Sequence, residues 1–176
     1  MTIQAADSCT VDGRNWLVMD WAGDRACVPG NASMGFDTVA PHTGNWSGRI
    51  DHFYMVDCRL MLFKMEVSLA PEYAGFVPPG ARREVVLRGD WRKAYSGDHQ
   101  YREFIERRTE YFVFDDLQVA FTGRLHLGHP DRDKWQRPWP DRAPQLPPYQ
   151  HFSLDFGDEN EPHRRTLHFE RGRLVA

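Results

Sequence analysis

The sequence predicts a mainly β protein: a curved antiparallel sheet, a sandwich or an incomplete barrel, with meander connections and one short helix. Apolar residues occupy every second position from 61 to 69, which is the clearest strand pattern in the chain. The pair Asp12-Gly13 between two apolar runs is typical of a two-residue β-hairpin turn. Aromatic residues, which favour strands, make up 13% of the chain.

The length of 176 residues indicates one domain, 1–176, that is large enough to bury a core. The net charge is −3 with both signs interleaved, so the chain lacks the basic patch typical of nucleic-acid binders. No apolar run is long enough to cross a membrane, and the first residues do not resemble a signal peptide. The widely spaced Cys9, Cys27 and Cys58 form neither a disulfide framework nor a CxxC metal site. The sequence therefore predicts a cytoplasmic protein that binds neither nucleic acid nor membrane.

The first predicted element is the hairpin around Asp12-Gly13, with Trp16 and Val18 on one face of its return strand. Glycine and proline recur through 22–45, which predicts a loop with at most one short strand near 36–39.

A second hairpin, over 46–69, is predicted to organise the fold. Its first strand covers about 48–56, and its second carries an apolar face made of Met61, Phe63, Met65, Val67 and Leu69. Leu60 and Leu62 lie on the opposite face, so this end of the strand is expected to be covered on both sides. The turn Asp57-Cys58 is a local misfit, because Cys58 carries a Cβ where φ is expected to be positive.

The second half of the chain is predicted to contain the helix. After a loop at 71–80 and a strand at 83–87, Tyr101, Phe104, Ile105 and Arg108 fall at helical spacing within 91–108. Ser96 or Asp98 would cap this helix. The remaining predicted elements are strands at 110–115 and 117–127, a proline-rich loop at 129–150, strands near 152–156 and 167–169, and a turn at Arg171-Gly172.

Part of this pattern resembles small, uncharacterised bacterial β-rich proteins, in which a strand–DG–strand unit precedes a segment of the form RGYxxTWEIxDGxLYL. The matching positions are Asp12, Gly13, Gly48, Phe53, Tyr54, Asp57, Leu60 and Leu62. The sequence departs from the pattern where Phe53-Tyr54 replaces Trp-Glu and where Cys58 replaces the turn glycine. The resemblance covers about a third of the chain and implies a shared β fold. Proteins of this type are often suspected of being antidotes to toxins, so it also implies, by analogy, an immunity function.

The proline-rich loop carries the residues that are predicted to bind a partner. Tryptophan, tyrosine and arginine are the usual hot-spot residues of protein interfaces. The predicted contact residues are Trp135, Arg137, Trp139, Arg142 and Tyr149. The alternative, that these rings fold back to cap the core, is equally open.

No residue is predicted to be catalytic, and no cofactor or metal is predicted. His126 and His129, followed by Asp131 and Asp133, are the candidate metal ligands. A polar strand end that runs into a solvated turn is the favoured interpretation, because no third His or Cys follows at a suitable spacing.

Ser153, Asp155 and His168 fall on the outward faces of the last two long strands that are predicted. A nucleophile needs a base within reach and an oxyanion hole, and this region has neither a GxSxG elbow nor a glycine nest. Solvent-facing polar residues are therefore the favoured interpretation.

The sequence thus predicts a non-enzymatic bacterial protein that binds a protein partner, as an immunity or inhibitor protein whose partner would be a toxin. The alternative is a small-molecule-binding β half-barrel with a pocket lined by Trp16, Phe53, Phe63, Phe112 and Phe121. A hydrolase or metal enzyme built on His126, His129 or His168 is the third hypothesis.

Overall fold

The computed structural model describes residues 6–24, 26, 28–41, 45, 47–97, 99–129 and 164–175. Strands dominate these residues, which confirms the mainly β prediction. The described strands are β1 (Ser8–Val11), β2 (Arg14–Asp24), β3 (Arg49–Val56), β4 (Arg59–Val67), β5 (Ala81–Ser96), β6 (His99–Gln118), β7 (Thr122–Gly128), β8 (Arg164–Glu170) and β9 (Arg173–Val175). A single helical turn, α1 (Asn31–Met34), and a 3-10 turn at Pro71–Tyr73 are the helical elements of the described chain.

Hydrogen bonding places the strands in the order β3-β1-β2-β7-β8-β9-β4-β6-β5, and β3 also pairs with β4. Strands joined by tight turns pair with each other, as a meander predicts: β1 with β2, β3 with β4, β5 with β6 and β8 with β9. The pairings of β2 with β7 and of β4 with β6 join strands that are far apart in the sequence. The topology therefore combines local hairpins with long-range pairings.

The chain divides into two contact units. The first comprises Met1–Ala5, Pro29–His52 and Leu62–Leu117, and the second comprises Ala6–Val28, Phe53–Met61 and Gln118–Ala176. The strands β3 and β4 therefore contribute residues to both units. The single domain expected from the length stays a prediction.

The second unit contains residues from seven strands, β3, β1, β2, β7, β8, β9 and β4, whose pairings form a closed circuit. A closed circuit of pairings is the arrangement of a β-barrel. In its core, the Trp21 ring lies edge-on to Phe53 and to Phe121, with centroid distances of 5.2 and 4.9 Å. Phe169 lies 6.0 Å from Phe121. These rings fill the interior by packing on one another.

The predicted first hairpin belongs to this unit and is confirmed. Asp12 and Gly13 both have positive φ, at 51° and 73°, and Val11 pairs with Arg14 across the turn. Trp16 and Val18 are buried on the return strand, each 7% exposed. The pattern of the sequence therefore predicted both the turn and the face that packs inward.

In the first unit, aromatic rings from the loop segments cover one face of β6. The Phe36 ring lies 5.4 Å from Phe112 and 6.0 Å from Phe76. Phe112 and Phe114 are almost fully buried, so this face of β6 forms the apolar core of the unit.

Arg49 fastens the loop before α1 to the start of β3. Its guanidinium donates to Asp51 at 2.5 Å, to the carbonyl oxygen of Pro29 at 2.6 Å and to the side chain of Asn31 at 3.1 Å. The side chains of Arg49 and Asp51 are only 11% and 8% exposed. A buried guanidinium needs such partners, because an unpaired buried charge is strongly destabilising.

The predicted central hairpin is confirmed as β3 and β4, joined by Asp57 and Cys58. Both turn residues have positive φ, at 48° and 60°, so Cys58 adopts the conformation that its Cβ disfavours. Leu60 and Leu62 are fully buried, as predicted for a strand end that is covered on both faces. Phe63 is 47% exposed and departs from the predicted apolar face.

The helix predicted within 91–108 is wrong, because this stretch contains the end of β5 and the start of β6. Ser96 lies opposite His99, and Gly97 has a φ of 58°. Ser96, one of the two predicted cap residues, is therefore the last paired residue of β5, and Asp98, the other, lies outside the described residues. The helical spacing of the apolar residues was coincidental: pairing along the whole of β5 overrides it, and Tyr, Phe and Ile are residues that strands favour.

Candidate protein-binding surface

The hairpin of β5 and β6 is the longest regular element among the described residues. The two strands pair without a register shift from Ala81 opposite Phe114 to Ser96 opposite His99. Residues that lie directly opposite each other in an antiparallel pair point to the same face. The register therefore assigns every side chain of the hairpin to one of two faces.

One face begins in the core and ends in solvent. At its base, Phe112 and Phe114 are buried. Next, Glu110 accepts hydrogen bonds from Arg83 at 2.7 Å and forms an ion pair with Arg108 at 2.9 Å. Beyond this half-buried ion-pair cluster, the apolar residues of the same face are exposed.

Trp91 and Phe104 form the exposed aromatic pair of this face. They lie opposite each other, with ring centroids 5.2 Å apart and an interplanar angle of 62°. Trp91 is 64% exposed and Phe104 is 53% exposed. A Cβ at Gly89 would overlap the Phe104 ring, so the glycine leaves the space that this ring occupies. Two large rings are thus held against each other while most of their surface meets solvent.

Two cations flank the aromatic pair toward the tip of the hairpin. Lys93 lies opposite Arg102, so the two side chains share the face that carries Trp91 and Phe104. Like charges directly opposite each other destabilise a strand pair. Among the side chains that the structure describes, neither Lys93 nor Arg102 forms an ion pair. We call Trp91, Phe104, Lys93 and Arg102 the distal patch.

The opposite face of the hairpin carries a polar cluster around Tyr111. Lys64 lies over the Tyr111 ring, 3.6 Å from its centroid, and Glu66 acts on the same tyrosine with its negative charge. Burial, and then the charge of Glu66, raise the pKa of Tyr111. Burial also lowers the pKa of His52, a tendency that Lys64 adds to and that Glu66 and Asp51 oppose. Opposite charges thus lie around one buried tyrosine, which is the arrangement expected of a structural network.

The structure places the two candidate metal ligands against other side chains. His126 Nδ1 lies 3.0 Å from the Thr166 hydroxyl across the pairing of β7 with β8. The His129 ring lies edge-on to Trp16 at 6.2 Å. Within the described residues, no group of three or more His, Cys, Asp or Glu side chains could hold a metal ion. Asp131 and Asp133 lie outside the described residues.

The five residues predicted to bind a partner, Trp135, Arg137, Trp139, Arg142 and Tyr149, lie outside the described residues, as do Ser153 and Asp155. His168 is exposed on β8. The predictions made for the loop at 129–150 and for the strand near 152–156 therefore stay predictions.

The residues of the alternative ligand pocket do not share one environment. Phe53 and Phe121 each pack against the edge of Trp21, and Phe63 is exposed. Among these rings the observed contacts are those of a packed core.

The distal patch was missed by the sequence interpretation because its residues were assigned to a helix. A signal for it is present. Val85, Leu87, Trp91 and Lys93 fall at strand spacing, and Gly97-Asp98 is a pair that favours a hairpin turn. This pattern would have predicted the hairpin, but not the exposure of its rings.

None of the helices among the described residues is long and apolar enough to cross a membrane. No protein-family model, curated protein or solved structure matches this chain.

Proposed function

We propose that this chain is a non-enzymatic binding protein that recognises a protein partner, and that the distal patch is part of its contact surface. The observation that carries the proposal is the pair of Trp91 and Phe104, which are 64% and 53% exposed although they pack against each other. Aromatic residues held rigidly at a surface supply large contact areas at a small entropy cost, and tryptophan is a frequent hot-spot residue.

The partner that fits this surface is an acidic protein segment with an apolar side chain. The opposed cations Lys93 and Arg102 repel each other in the free protein, and a carboxylate between them would relieve that repulsion. In the class implied by the sequence, the chain would be an immunity or inhibitor protein of a bacterial cytoplasm, and the partner would be a toxin. The predicted loop residues, Trp135, Arg137, Trp139, Arg142 and Tyr149, would be a separate set of contacts.

The test compares the wild-type chain with the variant Trp91→Ala/Phe104→Ala. A partner is first captured from a lysate of the source cell and identified, and the affinity is then measured by calorimetry with both purified proteins. Removing the pair is expected to weaken binding by about 30-fold or more, since a hot-spot residue contributes about 2 kcal/mol.

The matched control is Tyr101→Ala. Tyr101 is 49% exposed on the same hairpin but lies opposite Ala94, on the other face. This variant is expected to retain the wild-type affinity. Equal losses in both variants, or no loss in the double variant, would reject the distal patch as a contact surface. Deletion of 130–149 tests the loop separately: unchanged affinity after this deletion would remove the loop from the proposal.

A further inference from the structure

The outer edge of β5 is open in the part of the chain that the structure describes. In the strand order, β5 comes last and its neighbour is β6. It is a strand of 16 residues, much longer than most edge strands. An open edge exposes a row of N–H and C=O groups that can pair with another strand.

The apolar centre of this edge strand is exposed. Val85 is 43% and Leu87 is 61% exposed, and Val86 between them points to the other face. Charged residues usually protect such an edge against pairing. In β5 they flank the apolar centre symmetrically, and their signs are opposite: Glu84 lies two residues before Val86 and Arg88 lies two residues after it.

We propose that β5 pairs with β5 of a second copy of this chain, antiparallel and centred on Val86. A two-fold axis perpendicular to the sheet keeps the faces matched, so it pairs residues whose numbers have the same parity. Centred on Val86, it places Glu84 opposite Arg88 of the second copy, and Arg88 opposite its Glu84. On the other face it places Val85 opposite Leu87. The inference concerns the proximal part of the hairpin and does not depend on the partner proposed above for the distal patch.

The neighbouring registers are electrostatically unfavourable. A pairing centred on Val85 places Arg82 opposite Arg88, and a pairing centred on Leu87 places Glu84 opposite the sequence position of Asp90. Like charges directly opposite each other are destabilising. In the Val86 register, Arg82 instead faces the position of Asp90. Of the three registers, only the one centred on Val86 therefore places opposite charges together in both pairs, Glu84 with Arg88 and Arg82 with Asp90.

The same register relieves a repulsion within each chain. Arg88 lies opposite Arg107 of β6, so two guanidinium groups share one face. Pairing through the open edge would bring Glu84 of the second copy to the other side of Arg88. Each Arg88 would then lie between a repulsive neighbour and an attractive one.

The test is a pair of charge reversals and their combination, followed by sedimentation equilibrium over a wide range of concentrations. The wild type is expected to dimerise. Glu84→Arg or Arg88→Glu alone places like charges opposite each other at two symmetric positions, which is expected to weaken the dimer by about tenfold or more. The combination Glu84→Arg/Arg88→Glu restores opposite charges and is expected to restore dimerisation.

The matched control is Glu106→Arg, which reverses an exposed charge on β6, opposite Gly89 and away from the open edge. It is expected to leave the dimer within about threefold of the wild-type affinity, since surface charges away from an interface change it little. A monomeric wild type at the highest concentration, or a double variant that remains as weak as the single ones, would overturn the proposal.

A cross-linking experiment tests the register if a charge reversal should prevent folding. Because Val86 lies opposite Val86 of the second copy, Val86→Cys in a Cys27→Ser/Cys58→Ser background is expected to form a disulfide-linked dimer with diamide. Val85→Cys and Leu87→Cys in the same background are expected to form much less, because each faces a different residue. Equal cross-linking at all three positions, or none at Val86→Cys, would contradict the register.

Discussion

At the scale of single residues, His52 connects pH with folding. Burial lowers its pKa below the usual value of 6.5, and the positive charge of Lys64 acts in the same direction, against the carboxylates of Glu66 and Asp51. The folded protein therefore holds His52 neutral at a pH where the unfolded chain already binds a proton. The stability that His52 contributes is present above pH 6.5 and decreases as the pH falls from there toward the folded pKa.

We expect the free energy of unfolding to decrease below pH 6.5 more steeply for the wild type than for His52→Gln. The difference in slope is at most about 1.4 kcal/mol per pH unit, the value for one proton. Urea unfolding of both proteins between pH 5 and 8, repeated at intervals of ~0.5 pH units, measures this difference in slope. At the upper end both side chains are neutral, so the difference there reports packing alone. Parallel curves below pH 6.5 would contradict the assignment.

Single residues differ in how far the sequence predicts them. The positive φ of Cys58 could be predicted, because a two-residue turn fixes the conformation of its central positions whatever residue occupies them. The exposure of Trp91 and Phe104 could not. Large aromatic rings are usually buried, and where a strand extends beyond the core is decided by the lengths of its neighbours.

At the scale of elements, the two short hairpins offer a direct comparison of turn residues. Asp12-Gly13 and Asp57-Cys58 have similar positive φ angles, with φ of 73° at Gly13 and 60° at Cys58. A Cβ at Gly13 would meet no atom within 4 Å, so the difference between the turns is conformational and not steric. Glycine adopts a positive φ at no cost, whereas a residue with a Cβ is strained there.

We expect Cys58→Gly to stabilise the protein by about 0.5–1 kcal/mol, and Gly13→Ala to destabilise it by a similar amount. Chemical denaturation measures both changes. Cys58→Ala is the control, since it removes the thiol but keeps the Cβ, and it is expected to be nearly neutral. If Cys58→Ala stabilises as much as Cys58→Gly, the thiol and not the turn conformation is the cause.

The hairpin of β5 and β6 shows where the sequence pattern fails for a whole element. Tyr101, Phe104 and Ile105 fit helical spacing, but in the hairpin Phe104 lies on one face and the other two on the opposite face, so periodicity alone is misleading here. The decision comes from the partner strand, because Val85 to Trp91 pairs residue by residue with Glu110 to Phe104. The pairing depends on how well two segments match each other, and the residue pattern of one segment alone does not show this.

At the scale of the whole molecule, the strand class was predictable and the strand order was not. Tight turns such as Arg171-Gly172 determine which consecutive strands pair, and such turns can be predicted from their residue types. The pairing of β2 with β7 joins Leu17 to Gly128 across a large part of the chain, and no local signal specifies it.

The proposed pairing of β5 with a second copy also has a consequence for the stability of the whole molecule. A dimer that dissociates as it unfolds becomes more stable as the concentration rises. Each tenfold increase contributes about 1.4 kcal/mol per dimer, or about 0.7 kcal/mol per chain. For a chain of this length, the Tm is expected to rise by about 2 °C per tenfold increase in concentration once the dimer predominates.

Reversible calorimetric scans at several protein concentrations measure this increase in Tm. Glu84→Arg is expected to lose it, and the combined reversal Glu84→Arg/Arg88→Glu is expected to regain it. A Tm independent of concentration in all three proteins would show that the folded chain is monomeric and that the edge of β5 stays unpaired.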